Sequence, residues 1–256
     1  MNSSPAFARR IEEAGLNALQ TQRQLFYDGW VLRLSPGTAK RGRSVTAHFG
    51  SSLPLAEKIR YCESVYARCD LPVLFRITPF CEPDELERVL ADRGYVPFDE
   101  TLVQIAHLDA PPGWIELPDD AQLRIVDART FASAVGELRG ADEVKRDAHL
   151  ERLVNSPLLS QFTVVQASGR TVAAAQLAAE DTIAGVFDVV TAADARGRGY
   201  ATAAVGRLLA WAWDHGARTA YLQVTANNAP ALAIYRKFAF ETLYTYHYCG
   251  RPGALG

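Results

Sequence analysis

Eight residues, ARGRGYAT from Ala195 to Thr202, carry the clearest sign of chemistry in this sequence. They follow the apolar run GVFDVVT and lead into a run of good helix formers, which predicts a turn between a strand and a helix. Gly197 and Gly199 allow the positive φ and the close approach that side chains forbid. The free N–H groups of a helix N-terminus favour a phosphate, and Arg196 and Arg198 add positive charge. The stretch therefore predicts a pyrophosphate-binding loop.

Two common phosphate-binding loops are disfavoured by named residues. A P-loop ends in Gly-Lys-Ser or Gly-Lys-Thr, whereas Gly199 is followed by Tyr200 and Ala201. A dinucleotide-binding loop follows GxGxxG, but Thr202 stands at the third glycine and no acid ends the next strand to bind a ribose. A nucleotide-binding regulator stays open as an alternative, because glycine loops bind many phosphates.

A second motif, NNAPALAIYRKFAF, begins after the next predicted strand and lies on a short predicted helix. The loop has the pattern Arg-x-x-Gly-x-Ala, and the helix has the pattern Asn-x-x-Ala-x-x-x-Tyr-x-x-x-Ala-Phe. The two together resemble the GCN5-related N-acetyltransferases (GNAT) over roughly Leu123 to Cys249. The motif residues in register are Arg196, Gly199, Ala201, Asn228, Ala231, Tyr235 and Phe240. One position departs from the family, because Ala239 replaces the usual glycine.

The resemblance implies acetyl-CoA as co-substrate, with no metal. Its pyrophosphate is expected on the N–H groups of Arg198 to Thr202, and its pantetheine arm along Val189 to Thr191. The amide of Val189 or Val190 then polarises the thioester carbonyl, and Tyr235 donates a proton to the departing thiolate. The expected cofactor-binding residues are Val189, Val190, Thr191, Arg196, Gly197, Arg198, Gly199, Tyr200, Ala201, Thr202, Asn228, Ala231 and Tyr235.

The general base is less well defined by the sequence. Asp188 is preferred, because an acid between Phe187 and Val189 in a strand is costly unless it faces a wet cleft. A base that acts through water stays equally open. Other acids that remain open lie at the end of the predicted hairpin or in the helical region before it: Glu180, Asp181, Glu137 and Glu143.

Alternating strands and helices along the chain predict an α/β fold with a partly parallel sheet. Predicted helices span 6–24, 54–68, 84–92, 130–140, 142–155, 200–215 and 229–238, and predicted strands include 29–34, 44–49, 72–78, 101–107, 123–128, 219–225 and 242–249. A β-hairpin is expected to turn at Ser168 and Gly169. The connection Asp109 to Asp120 has three prolines and interrupts the periodicity. We therefore expect domains at 1–110 and 121–256.

An internal echo links the two predicted domains. In each, a strand, turn and helix are followed by a small residue and an aromatic residue, Gly94–Tyr95 in the first and Ala239–Phe240 in the second. When the two copies are aligned in this way, Leu90 occupies the position of Tyr235, and the first half has no glycine loop. DGWVLR with the basic stretch KRGRSV is similar to the start of the non-catalytic domain of tandem acetyltransferases. The resemblance implies two GNAT-like mixed-sheet α/β units in tandem, the N-terminal one truncated, lacking the cofactor loop and walling the acceptor cleft.

Composition limits the partners. The net charge is −2 and Lys and Arg are scattered, so no nucleic acid is expected. The four cysteines form no CxxC pair, so no metal site is expected. The N-terminal stretch lacks the apolar core of a secretory signal, and no apolar run is long enough for a membrane span. We expect a soluble, cytoplasmic protein without a membrane partner.

The function that follows is an N-acetyltransferase that moves acetyl from acetyl-CoA to a primary amine of a small molecule or peptide, by direct attack in a ternary complex. Mild net acidity slightly favours a cationic acceptor. The alternative is a catalytically inactive CoA-binding sensor or scaffold. A monomer and a homodimer are both compatible with the sequence, since a tandem arrangement can cover an exposed sheet edge.

Overall fold

A computed structural model describes residues 4–19, 21, 23–37, 39–113 and 115–254 of the chain. Three residues within predicted features lie outside this part of the chain: Gln20 and Gln22 of the predicted first helix, and Trp114 of the predicted connection. In chain order the elements are α1 (Pro5–Asn17), β1 (Gln24–Tyr27), β2 (Trp30–Arg33), β3 (Val45–Ala47), α2 (Leu55–Arg68), β4 (Phe75–Ile77), α3 (Leu86–Ala91), β5 (Val96–His107), β6 (Ala121–Val126), α4 (Ala128–Arg139), α5 (Glu143–Val154), β7 (Leu159–Ala167), β8 (Arg170–Glu180), β9 (Ile183–Thr191), α6 (Tyr200–Asp214), β10 (Thr219–Thr225), α7 (Ala229–Arg236) and β11 (Glu241–Gly250).

The described residues divide into two compact units. The first, here called the loop unit, comprises those of Met1–Ala18, Gln104–Val224 and Asn228–Leu243. The second unit comprises those of Leu19–Val103, Thr225–Asn227 and Tyr244–Gly256. The units are therefore interleaved in sequence. The boundaries between the compact units lie at positions other than 110–121. The domain boundary expected between 110 and 121 stays a prediction.

The loop unit contains a mixed sheet with the strand order β10-β9-β8-β7-β6. β10 and β9 are parallel, while β9, β8, β7 and β6 pair antiparallel in succession. The predicted hairpin is confirmed, and its turn at Ser168 and Gly169 has φ of 49° and 78°, as a two-residue hairpin turn requires. Phe131 and Val135 of α4 pack on Val164 of β7 and Ala174 of β8 in a buried cluster. This packing fixes α4 against the sheet that carries β9.

The second unit has the strand order β1-β2-β3-β4-β11. Its core contains Trp30, Tyr66 and Phe75, each with no exposed surface. The prediction of one helix over 6–24 is wrong in its second half, because α1 ends at Asn17 and Gln24–Tyr27 forms β1. β1 pairs with β2 across Asp28 and Gly29, whose φ values are 43° and 82°. The Asp-Gly turn and cross-strand pairing outweigh the helical periodicity there.

The two helix ends of the internal echo share one geometry. After α3, Gly94 has φ 82° and the Tyr95 N–H donates to the Leu90 carbonyl over 3.1 Å. After α7, Ala239 has φ 56° and the Phe240 N–H donates to the Tyr235 carbonyl over 3.3 Å. Both are left-handed helix ends of the kind that favours glycine. Ala239 therefore keeps the turn geometry of the glycine it replaces, at a cost in backbone strain.

Candidate functional site

An opening in the sheet lies beside the second half of β9. The pairing of β9 with β10 ends at Val186 and Leu222, although both strands continue. Val190 and Thr191 pair with β8 on their other side. Within the described part of the chain, the edge of Val189–Thr191 that faces β10 has no strand partner. Backbone N–H and C=O groups on such an edge are free to bind an extended ligand.

A β-bulge at Asp188 precedes this open edge. Phe187 lies opposite Gln176 and Val190 opposite Ala174, so β9 carries one more residue than β8 across this interval. Asp188 takes up the difference with a φ of 48°. A bulge bends its strand and redirects the side chains that follow. The bulge therefore coincides with the place where β9 separates from β10.

The predicted loop connects β9 to α6, as the sequence indicates. Gly197 and Gly199 have φ of 78° and 83°, and a Cβ on either glycine meets nothing within 4 Å. The glycines are thus needed for their backbone conformation, and the space beside them is open. Gly199 is the N-cap of α6 and, among the described residues, no side chain caps the helix.

The first turn of α6 leaves backbone donors available. Its first helical hydrogen bond runs from the Ala203 N–H to the Gly199 carbonyl over 2.9 Å, so the N–H groups of Tyr200, Ala201 and Thr202 precede the ladder. The side chains of Tyr200 and Thr202 are themselves buried, which limits their predicted role to backbone contacts. Arg196 and Arg198 are exposed beside the turn. The arrangement can hold an anion at a helix N-terminus.

The second motif forms the N-terminus and the buried face of α7. Asn228 is the N-cap, and its Oδ1 accepts a hydrogen bond from the Ala231 N–H over 3.2 Å. Tyr235 is 7% exposed and its ring packs edge-to-face on Phe240, with 5.8 Å between centroids. No described residue is within hydrogen-bond distance of the Tyr235 hydroxyl, and burial raises its pKa to about 12. At neutral pH this hydroxyl is protonated.

The comparisons with known proteins agree with this geometry. The profile of the Acetyltransferase (GNAT) family matches residues 127–240, which include β9, the glycine loop and α7. Residues 127–240 form a GNAT domain. This match supports acyltransferase activity, and proteins of the GNAT family use acetyl-CoA as co-substrate.

Longer relatives resemble the whole chain rather than the GNAT domain alone. The uncharacterized N-acetyltransferase YobR of Bacillus subtilis is 25% identical over 252 residues, covering 94% of this chain and 97% of its own. A GCN5-related N-acetyltransferase from Kribbella flavida has a TM-score of 0.70 at 19% identity, covering 97% of this chain and 95% of that one. A tandem GNAT protein from the clavulanic acid biosynthesis pathway has a TM-score of 0.68 at 15% identity, covering 93% and 86%. The predicted tandem GNAT fold is confirmed, with the family profile confined to its second part.

The carboxylate predicted as general base lies in a cluster of cationic side chains on the GNAT domain. Asp188 Oδ2 is 3.0 Å from His149 Nε2, and Oδ1 accepts from Arg139 Nη2 over 2.9 Å. Arg152 Nη2 is 3.9 Å from Oδ2. Burial alone raises the pKa of Asp188, but the hydrogen bond with His149 and the two arginine charges outweigh it and hold the pKa well below its usual range. A carboxylate in this state is a weak proton acceptor, so the geometry does not favour Asp188 as the base itself.

Sequence reasoning did not single out His149. The residue is 39 positions from Asp188 and has no motif around it, so the sequence offered no local signal. Of the other acids considered, Glu180 binds Arg10 over 2.6 Å and Asn17 over 2.9 Å. Glu180 therefore fixes α1 to the GNAT domain.

Other potential sites lie apart from these motifs. In the second unit, ligand atoms of Glu87, His247 and Cys249 lie within 4.8 Å of one another. His247 already pairs with Glu87 over 2.8 Å, and burial raises the pKa of Cys249 to about 12. Because a metal needs the thiolate, we assign no ion there.

Each of the two units contains a cavity. A cavity of about 560 Å³ in the second unit is lined in part by Lys58 and Glu82. A cavity of about 480 Å³ in the loop unit includes Thr202 and Lys237. Neither is lined by Tyr235 or Val189–Thr191. Among the described residues, no helix has the length and apolar character to cross a bilayer.

Proposed function

We propose that the protein transfers the acetyl group of acetyl-CoA to a primary amine of a small molecule or peptide, by direct attack within a ternary complex. One observation carries the proposal: the open edge of β9 leads directly into the uncapped N-terminus of α6. An extended arm followed by a pyrophosphate matches this order of sites. The family assignment supports acetyl transfer, and the identity of the amine is part of the proposal.

The backbone would bind the co-substrate at two places. The pyrophosphate would accept hydrogen bonds from N–H groups of Arg198–Thr202, where the helix dipole favours negative charge. The pantetheine arm would pair with Val189–Thr191 as an added strand. The amide of Val189 or Val190 would then donate to the thioester oxygen as negative charge develops on it. Arg196 and Gly197 would border the phosphates, and Asn228 and Ala231 would hold the start of α7 beside them.

Tyr235 would act on the leaving group. The acceptor nitrogen forms a bond to the thioester carbon and loses one proton to a base or to water, while the carbon–sulfur bond breaks and its electron pair leaves with sulfur. A Tyr235 hydroxyl with a pKa of about 12 is a hydrogen-bond donor to that thiolate at neutral pH, and complete proton transfer is not required.

The proposal extends to the organisation of the chain. The segment 1–110 would be a degenerate GNAT-like domain, and 121–256 would carry the catalytic residues. The protein would work in the cytoplasm as a monomer or homodimer, without nucleic acid, membrane or metal.

Isothermal titration with acetyl-CoA tests the binding step. Gly199→Asp places a side chain and a negative charge at the N-terminus of α6, and we expect binding to vanish. Gly216→Asp is the matched control, because Gly216 also has a positive φ of 92° and no atom within 4 Å of its Cβ, but follows the other end of α6. Equal binding by the wild type and both variants would reject the site.

Turnover is tested by thiol release from acetyl-CoA with a panel of amines, including polyamines, amino sugars and peptides. Release that requires an amine supports acetyl transfer. A wild-type protein that binds CoA but releases no thiol with any amine would favour the sensor or scaffold instead.

A further inference from the structure

The buried face of α5 is unusual. All twelve residues of this helix are described, and among them only His149 is buried. An amphipathic helix ordinarily buries aliphatic side chains, yet here Leu150 and Leu153 are only partly buried. The imidazole packs edge-to-face against Phe131 of α4, with 6.0 Å between ring centroids. The helix therefore packs a titratable ring, beside the partly buried Leu153, against the core around Phe131.

Asp188 fixes which nitrogen of His149 is basic. Its carboxylate stays ionised, and Oδ2 forms a hydrogen bond with Nε2 of the imidazole over 3.0 Å. A carboxylate accepts but does not donate, so the neutral ring carries its proton on Nε2 and leaves the lone pair on Nδ1. Among the described residues, none offers Nδ1 a hydrogen-bond partner. The ring is thus oriented with a free acceptor nitrogen.

The position of this pair along β9 connects it to the proposed chemistry. Asp188 is the bulge residue immediately before Val189–Thr191, the open edge proposed above to bind the pantetheine arm and, through Val189 or Val190, the thioester. Arg139 from α4 holds the other carboxylate oxygen, and Arg152 lies on α5 itself. Asp188 from β9 carries the negative charge beside His149, and Arg139 from α4 and Arg152 from α5 carry positive charges beside that carboxylate.

Resting on the proposed function, we propose that His149 is the general base of acetyl transfer and that Asp188 and Arg139 are positioning residues. Nδ1 accepts the proton that the amine nitrogen loses as it bonds to the thioester carbon. The carbon–sulfur electron pair leaves with CoA, whose sulfur is protonated by Tyr235 or solvent. His149 then returns its proton to solvent, so one proton leaves nitrogen and one reaches sulfur.

The first test is His149→Gln, which removes the basic ring but keeps an amide donor for Asp188. We expect kcat/KM for the amine to fall about 100-fold, with acetyl-CoA affinity within about twofold of wild type. His215→Gln is the matched control, because His215 is exposed and bonds only the helix-end carbonyl of Trp211. It should leave turnover unchanged. Free imidazole should restore part of the activity of His149→Ala.

The pH profile separates a base from a structural residue, and its first part needs only the wild-type protein. With an amine so weakly basic that it is unprotonated throughout, kcat/KM of the wild type should fall as the pH is lowered, because protonated His149 cannot accept a proton. That acid limb should be absent in His149→Gln. A flat wild-type profile with this amine, or a His149→Gln enzyme with wild-type rate, overturns the assignment while acetyl transfer stands. A wild type without turnover rejects the proposed function itself.

Discussion

Replacing Tyr235 with Phe tests the leaving-group step, because the structure separates the hydroxyl's role in folding from its role in catalysis. The ring is buried and packs on Phe240, and phenylalanine keeps that packing. No described residue hydrogen bonds with the hydroxyl, so its removal breaks no contact that holds the fold. We expect the free energy of unfolding to change by less than about 0.5 kcal/mol.

The effect on turnover follows from the charge of the leaving thiolate. A hydrogen bond to a charged group contributes about 1.5–3 kcal/mol, which corresponds to a fall in kcat of about 10- to 150-fold. With a pKa of about 12, only about one hydroxyl in 100,000 is ionised at pH 7. Tyr235 should therefore add no basic limb to the pH profile in the neutral range.

The assay is thiol release at saturating acetyl-CoA, together with chemical denaturation of each variant. Tyr66→Phe provides the contrast, because the Tyr66 hydroxyl donates to the Arg33 carbonyl over 2.7 Å in the second unit. It should lose about 1 kcal/mol of stability and keep its kcat. The reasoning is refuted if Tyr235→Phe turns over like the wild type, or if its loss of activity is matched by a comparable loss of stability.

Three further predictions concern the fold. Both Ala239 and Gly94 have a positive φ, which favours glycine. In denaturant titrations, Ala239→Gly should therefore stabilise the protein by about 0.5–1 kcal/mol and Gly94→Ala should destabilise it by about as much. Stability changes of the same sign in the two variants would contradict this. Backbone N–H groups hold the pKa of Asp28 well below its usual value, so the free energy of unfolding should decrease as the pH is lowered below about 4, where unfolded Asp side chains titrate. Asp28→Asn should flatten this pH dependence, and an unchanged slope would oppose the assignment. The fragment 121–256 lacks α1, which belongs to the loop unit, so we expect no cooperative unfolding by circular dichroism; a folded fragment that binds acetyl-CoA would count against it.

Local signals made much of the site predictable. The glycine loop, the helix after it and the hairpin at Ser168–Gly169 each depend on residues that are neighbours in sequence, and the structure has them where they were expected. The boundaries of β10 at Thr219–Thr225 also agree. Asn228 caps α7 by accepting a hydrogen bond from the N–H group three residues further along the chain. Turn chemistry and capping act between residues that are close in sequence, which is why sequence alone identifies them.

Tertiary structure decided what depends on distant residues. β1 forms because Gln24–Tyr27 has a strand partner, whereas the helix predicted over 6–24 reaches as far as the first residue of β1. The environment of Asp188 depends on α4 and α5, whose side chains reach the carboxylate only when both helices pack on the sheet. The sequence by itself indicated the resemblance to GNAT proteins, the glycine loop between β9 and α6 and the motif tyrosine. Only packing decided that Asp188 is a partner of His149, because a pKa and a proton's position depend on every charge nearby in space, however far apart along the chain.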